Sequence, residues 1–378
     1  MKVLILTNND GGLYHFRKEL LQELVSPGTF LKDRVAEPCE VVASLPCGEL
    51  VPEIEALGVR CIRTEFDRRG MNPIADIKLF WNYVKILKAE KPDIVFTYTI
   101  KPNVYGGMAS AFLGVPYVAN ITGLGTAVEN GGILQKITLT LYKIDLSKAQ
   151  KVFFQNKSNM ELFLEHHVTR GDVDLLPGSG VNTDDFAYQE YPDDTNGIRF
   201  LFVGRIMKDK GIEELLECAE YFHQRNVSVR FDLVGSYDEK TYEQQICDSE
   251  RKGVVKFLGH QKDMKDFYGS HHVIIHPTYH EGMSNVLQEA AACGRPVLTT
   301  NVPGCQEVFE EGVSGFGCSP KDAADLIKIC EKFLNLSHDE KREMGINARK
   351  LVEKNFDRRI ILEKYSKITD EFGGRENV

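Results

Sequence analysis

Short runs of β-branched and aromatic residues alternate with helical periods along this chain, and that order leaves few folds open. Lys2–Thr7 (KVLILT), Glu40–Leu45, Val59–Thr64, Asp93–Tyr98, Pro116–Asn120 and Lys151–Asn156 read as strands. Helical stretches such as Tyr14–Leu24, Pro73–Glu90 and Asn103–Leu113 lie between them. A βαβα order calls for a parallel sheet with helices on both faces. Asp174–Asn182 (DLLPGSGVN) adds a last strand and a Gly-rich turn, and the polar YPDDTNG, Tyr191–Gly197, reads as a linker. The order then restarts with Ile198–Gly204, Val229–Gly235, Val254–Gly259, His272–Pro277 and Pro296–Thr300. At 378 residues the chain exceeds what one core usually serves. The expectation is α/β: two Rossmann-like, doubly wound domains, residues 1–190 and 197–355, facing across a cleft, with Phe356–Phe372 as a closing amphipathic helix.

Composition removes several function classes. The longest apolar runs fall short of the roughly 18 residues of a membrane span, and the apolar run in MKVLILTNNDGG is too short for a signal peptide. Nine cysteines without a C-x-x-C pair read as free thiols in a reducing cytoplasm. A net charge of −9 argues against nucleic acid as a partner. That charge is uneven, since Arg60–Lys101 holds nine basic against five acidic residues. The segment is a core helix with a basic solvent face, or one that also meets an anionic membrane surface through Trp81 or Phe80.

The stretch Glu281-Gly-Met-Ser-Asn-Val-Leu-Gln-Glu289 carries the most chemistry. Ser284 or Asn285 suits a helix N-cap, with Val286, Leu287 and Ala290 on an apolar face. Backbone N–H groups at a helix start attract phosphate, and Gly282, Met283, Ser284 and Asn285 stand at this one. Were the segment helical throughout, eight residues would rise roughly 12 Å, about the reach of a nucleoside diphosphate sugar from hexose to ribose. One carboxylate can then take sugar hydroxyls and the other ribose hydroxyls. Taken alone, the pair also fits a capped surface helix.

Three further features fall at carboxyl ends of expected strands. Asp10-Gly11-Gly12 allows close backbone approach to an anion, and equally makes a plain β–α turn. Gly204-Arg205-Ile-Met-Lys-Asp-Lys210-Gly211 places a guanidinium fork and a mobile ammonium where two cations can clamp a diphosphate. Pro177–Asn182 (PGSGVN) offers a turn able to touch a nucleotide. Asp172-Val-Asp174 is a D-x-D, but it leads into a strand far along the chain from the phosphate signatures and reads as a solvated turn. His276 and His280 flank Pro-Thr-Tyr without further ligands, so no metal site follows, and His280 is placed at the mouth of the donor site.

Together GRIMKDKGI and EGMSNVLQEAAACGRPV resemble the G-R-x-x-x-x-K-G and E-G-x-x-x-x-x-x-E-A-x-A-x-G-x-P-V signatures of the family 4 retaining glycosyltransferases, which share the GT-B fold. The resemblance spans nearly the whole chain, including a closing helix that in the family returns to the first domain. KPDIVFTYTIKPNVYGG and ANITGLGT look like bacterial enzymes of polysaccharide or lipid-linked oligosaccharide assembly that transfer N-acetylgalactosamine, galactose or uronic acid. The resemblance implies Arg205 and Lys210 on the diphosphate, Glu289 on the ribose, and Glu281 with the Gly282–Asn285 backbone on the sugar and distal phosphate. Gly11, Gly12 and Gly204 would complete the donor pocket. It implies a hexose-type sugar moved from a nucleotide diphosphate donor, UDP by preference and GDP otherwise, to a saccharide or polyprenyl-linked acceptor. No cofactor and no metal are expected, and the enzyme is placed in the cytoplasm, peripheral to the membrane. Many relatives carry a histidine after the fourth strand, where Tyr98-Thr-Ile-Lys-Pro102 stands here, so Thr99 or Lys101 becomes a substitute. A nicotinamide-dependent dehydrogenase would need G-x-G-x-x-G, which is missing. A silent sugar-nucleotide-binding module would be expected to lose the charged site residues, all of which are kept.

Overall fold

Every strand pairing within the two sheets of this computed structural model is parallel. The structure describes residues 1–68, 70, 72–123, 132–169 and 172–373, without the side chains of 132–134. Arg69 and residues 124–126 of the ANITGLGT motif lie outside the described residues.

The chain divides into two compact units, residues 1–179 with 358–378, and 180–357. The first alternates β1 (Lys2–Leu6), α1 (Asp10–Val25), β2 (Glu40–Leu45), α2 (Val51–Ala56), β3 (Arg60–Arg63), α3 (Pro73–Glu90) and β4 (Ile94–Tyr98). It continues with α4 (Gly107–Leu113), β5 (Tyr117–Ile121), α5 (Gly132–Leu146), β6 (Lys151–Phe154), α6 (Lys157–Glu165) and β7 (Asp172–Leu175). The strand order β3-β2-β1-β4-β5-β6-β7 puts the apolar runs of β1 and β4 at the centre, buried on both faces as a parallel sheet requires. Leu79, Tyr83 and Leu87 of α3, with Tyr142 and Leu146 of α5, cover one face.

The second unit runs β8 (Ile198–Val203), α7 (Ile212–Gln224), β9 (Val229–Val234), α8 (Thr241–Arg251), β10 (Val255–Phe257), α9 (Lys265–Ser270) and β11 (Val273–His276). It ends with α10 (Asn285–Ala292), β12 (Val297–Thr300), β13 (Gly315–Cys318), α11 (Ala323–Leu334) and α12 (His338–Asn355). Its order, β10-β9-β8-β11-β12-β13, again sets the first strand beside the fourth. That step opens the sheet's switch point, the usual ligand position in this topology, at the ends of β8 and β11.

The last helix, α13 (Arg358–Gly373), belongs to the first unit. Ile361, Leu362, Tyr365 and Ile368 join Leu13, Leu20 and Phe96 in the core on the sheet's other face. Tyr365 donates its hydroxyl hydrogen to Asn120 Oδ1 and accepts from Tyr98 at 2.9 Å, so the buried phenols are satisfied by each other and by β5.

The division falls at Ser179/Gly180 rather than in the polar stretch Tyr191–Gly197. Tertiary contacts decide it. The buried Arg295 guanidinium donates to the carbonyls of Gln189 and Glu190, and Arg349 donates to those of Thr183 and Phe186. Tyr191 packs edge-on against His272 and His338. Residues 180–197 are therefore built into the second unit, not strung outside it.

Candidate active site

At the carboxyl end of β8, Gly204 leads into a loop, a single 3-10 turn, Lys208–Lys210, and then α7. Gly211 follows at φ 70, and a Cβ there would sit 2.0 Å from the Pro277 carbonyl oxygen. Only glycine lets this turn press against the end of β11. That approach brings the Lys210 ammonium onto Glu281 Oε1, across 71 positions of sequence. Thr278 Oγ1 lies 3.5 Å from the same ammonium.

Glu281 Oε1 has a second partner. His276, the final residue of β11, is buried, and its Nε2 lies 2.9 Å from that oxygen. Burial works against ionising Glu281, but the Lys210 charge and the His276 bond outweigh it and hold the carboxyl at about 2. Burial, aided by Lys210, lowers His276 against the pull of Glu281, so the imidazole is neutral at pH 7 and donates Nε2–H. The result is an ionised carboxylate in fixed orientation, 19% exposed.

The chain from Glu281 to Ser284 is a loop, and α10 begins only at Asn285. Of the two N-cap candidates that local chemistry offers, Ser284 and Asn285, the fold uses the first. Ser284 is the N-cap: its Oγ accepts from Leu287 N at 3.4 Å, and its own N–H donates to the Gly304 carbonyl at 2.8 Å. Gly304 has φ 87, and a Cβ there would come within 2.7 Å of Glu281 O and 2.8 Å of Gly282 O. Met283 is buried in the core beneath, while Gly282 and Asn285 stay partly exposed beside it. Glu289, one face of α10 further on, accepts from the buried Tyr268 hydroxyl at 2.9 Å. Burial, then the Glu289 charge, raises that phenol well above its ordinary range, so it remains a donor.

Lys210, Glu281 and the α10 start thus come together, and sequence reading placed them. Arg205 is 52% exposed and pairs with Asp238 at 3.1 Å. His276 and Tyr268 were missed as partners of the two carboxylates. The available signal was a histidine closing an apolar strand five residues before Glu281. Gly11 and Gly12 belong to the first unit, in the first turn of α1, where Asn9 Oδ1 caps Gly12 N. A Cβ at Gly12 would lie 2.9 Å from that Asn9 oxygen.

In the segment after β4, the Tyr98 hydroxyl is bound to Tyr365, and Lys101 is paired with Asp76 at 2.7 Å. Thr99 takes φ 72 and leaves its Oγ1 buried without a hydrogen bond. That is a rare, costly state for a β-branched residue. In the D-x-D, Asp172 pairs with Lys151 and Asp174 with Lys364, each at 2.8 Å or less, so both acids serve the edge of the first sheet. Among the described residues no group of three His, Cys, Asp or Glu is placed to hold a metal.

Comparison with known proteins follows the same division. Residues 184–351 match the family model "Glycosyl transferases group 1", and residues 36–156 match "Glycosyl transferase 4-like". The chain is 26% identical to N,N'-diacetylbacillosaminyl-diphospho-undecaprenol alpha-1,3-N-acetylgalactosaminyltransferase of Campylobacter jejuni, over 98% of both proteins. It is also 26% identical to UDP-Gal:alpha-D-GlcNAc-diphosphoundecaprenol alpha-1,3-galactosyltransferase of Escherichia coli, over 76% of this chain and 79% of that one. In fold it resembles Anabaena HepE, solved with UDP and glucose, at a TM-score of 0.76 and 20% identity over 98% of this chain and 100% of that one. Sucrose-phosphate synthase of Thermosynechococcus elongatus gives the same TM-score at 18% identity, over 99% and 100%. With two parallel-sheet Rossmann-like units and both family domains in one chain, the protein belongs to the family 4 glycosyltransferases of the GT-B fold.

Proposed function

We propose that this glycosyltransferase moves a hexose-type sugar, with retention, from a UDP-linked donor to a polyprenyl-diphosphate-linked saccharide in bacterial surface polysaccharide or oligosaccharide assembly. The observation that carries the reading is the shared oxygen of Glu281. Lys210 and His276 fix this carboxylate beside the capped start of α10. Cation, carboxylate and the positive end of a helix are the components needed to grip a sugar diphosphate. The relatives named above act on diphospho-undecaprenol-linked sugars, which supports the acceptor class.

In this mechanism the glycosyl–phosphate bond loosens while the acceptor hydroxyl approaches the same face of the sugar. Positive charge grows at the anomeric carbon, and the departing phosphate takes the hydroxyl's proton. Lys210, Arg205 and the positive end of the α10 dipole stabilise the diphosphate as its charge rises. Glu281 orients donor sugar hydroxyls, and Glu289 the ribose. No step requires a metal. The reaction takes place in the cytoplasm at the membrane surface.

Transfer from UDP-sugars to a synthetic polyprenyl-diphosphate monosaccharide, followed by NMR of the product, tests the reading. An anomeric configuration matching the donor is expected. Inversion, or transfer from GDP-sugars alone, would overturn it.

A further inference from the structure

Six of the protein's exposed large apolar side chains lie on one layer of the first unit. Ile74, Ile77 and Trp81 are 66%, 59% and 51% exposed on α3, Phe112 is 62% exposed on α4, and Ile137 and Ile144 are 52% and 53% exposed on α5. The three helices are neighbours, α4 between α3 and α5, packed on the same face of the sheet. Phe112 stands edge-on to Trp81 and to the half-buried Phe80, which fixes the aromatic pair in place instead of leaving it to fold back.

The charge on this layer is of one sign. Lys78, Lys85 and Lys88 are exposed on α3, and Lys136, Lys143 and Lys148 are exposed along and just after α5. The helices' few acids do not balance them: Asp76 is taken by Lys101 and Tyr105, Glu90 by Arg60 and Lys2, and Asp145 is fully buried. Spacing aligns the two kinds of side chain. Ile74 and Trp81, Lys78 and Lys85, Lys136 and Lys143, and Ile137 and Ile144 are each seven residues apart, so each pair returns to one helix face. Arg60 and Arg63 are not part of it, since they pair with Glu90 and Glu65 on and beside β3.

From this juxtaposition we infer that the outer faces of α3, α4 and α5 form a docking surface for an anionic lipid bilayer. Trp81, Phe112 and the isoleucines enter the headgroup boundary, and the lysines meet lipid phosphates. A protein partner would be met by mixed charge and closer packing. Interspersed lysine and large apolar side chains, in a chain of net charge −9, instead match a negatively charged interface with an oily interior. The proposed lipid-linked acceptor supplies a purpose for the contact, but the surface is read from exposure and charge alone.

Trp81 is the only tryptophan in the chain, so its emission reports the contact directly. The full-length protein, without donor or acceptor, is titrated with vesicles of phosphatidylcholine alone or with phosphatidylglycerol, with and without brominated acyl chains. With phosphatidylglycerol a blue shift, quenching by brominated chains, and release by high salt are expected. Lys78→Glu/Lys85→Glu/Lys143→Glu should weaken that partition by a hundredfold or more, at roughly fivefold per lysine lost from the surface. Trp81→Ser/Phe112→Ser should weaken flotation at all salt concentrations, and Arg63→Glu should leave it unchanged. Wild-type emission unaltered by anionic vesicles overturns the inference without recourse to any variant. So does a dimer that dissociates in the Trp81→Ser/Phe112→Ser protein, which would assign the face to a second copy. Because no sugar substrate is present, an error in the assigned acceptor leaves these outcomes untouched.

Discussion

Nε2 of His276 lies 2.9 Å from Oε1 of Glu281, the same oxygen that holds Lys210. His276 therefore positions a carboxylate that contacts the donor in the proposed mechanism. His276→Phe keeps the ring stacked near Phe202 but removes the donor. Loss of a hydrogen bond to a charged group should lower kcat about ten- to a hundredfold. His276→Gln, which still offers an N–H, should recover part of it. Steady-state kinetics on both variants decides the point, and a fully active His276→Phe enzyme removes the role.

Glu289 and the two cations should separate kinetically. Glu289→Ala is expected to raise KM for the donor with little change in kcat, because ribose does not react. Arg205→Ala and Lys210→Ala should each cut kcat, by about 10²–10³ if a preorganised charge contact is lost. Lys210→Ala also strips Glu281 of its counter-charge, so its effect should be the larger. Full turnover in the folded Arg205→Ala/Lys210→Ala double variant would falsify the assignment of leaving-group stabilisation.

Transfer should persist in EDTA. Asp172→Asn/Asp174→Asn should leave kcat unchanged, since these acids pair with Lys151 and Lys364 at the sheet edge. Activity lost on chelation and regained with Mg²⁺ or Mn²⁺ would show that a metal shares the diphosphate.

Acid stability has an identifiable source in the second unit. His272 Nδ1 accepts from Arg199 N at 3.0 Å and Nε2 lies 3.1 Å from the Asp193 carbonyl, which fixes a neutral tautomer. Burial pushes it down from 6.5 to about 4. The unfolded chain takes up this proton near pH 6.5 while the folded protein resists until about pH 4. Stability from this group is therefore complete above 6.5 and falls through that window, by about 3 kcal/mol in all. Glu281, held at about 2, adds a loss only below its ordinary 4.5. Melting temperature against pH should fall below pH 6.5, and less steeply in His272→Gln. Equal slopes would place the acid sensitivity elsewhere.

Much of the fold was readable because its central strands are continuous Val, Ile and Phe runs separated by helical periods. The exception β13, Gly315–Cys318, hid because GFGC has little β-forming character, and its pairing with β12 is tertiary. The unit boundary was displaced for a similar reason: YPDDTNG has a linker's composition, but Arg295 and Tyr191 bind its neighbourhood into the second unit. In the candidate site, Ser284 as N-cap follows from local chemistry. The Lys210–Glu281 bond does not, because its partners meet only when the turn at Gly211 presses on Pro277. His276 was invisible as a positioning group for the same reason. Its neighbour His280 looked equivalent until the fold buried one and left the other partly exposed.

The hydroxyl of Tyr365, tied to Tyr98 and Asn120, has a consequence for the order of synthesis. On the ribosome, residues 180–357 hold all of their own unit and can close it as they emerge. Residues 1–179 cannot do the same. One face of their sheet stays uncovered where Ile361, Leu362 and Ile368 belong, and Asn120 waits for a phenol about 245 residues away. The half of the enzyme that is made first is completed last, so a stop codon a few residues before α13 would leave the early domain, not the late one, unfinished.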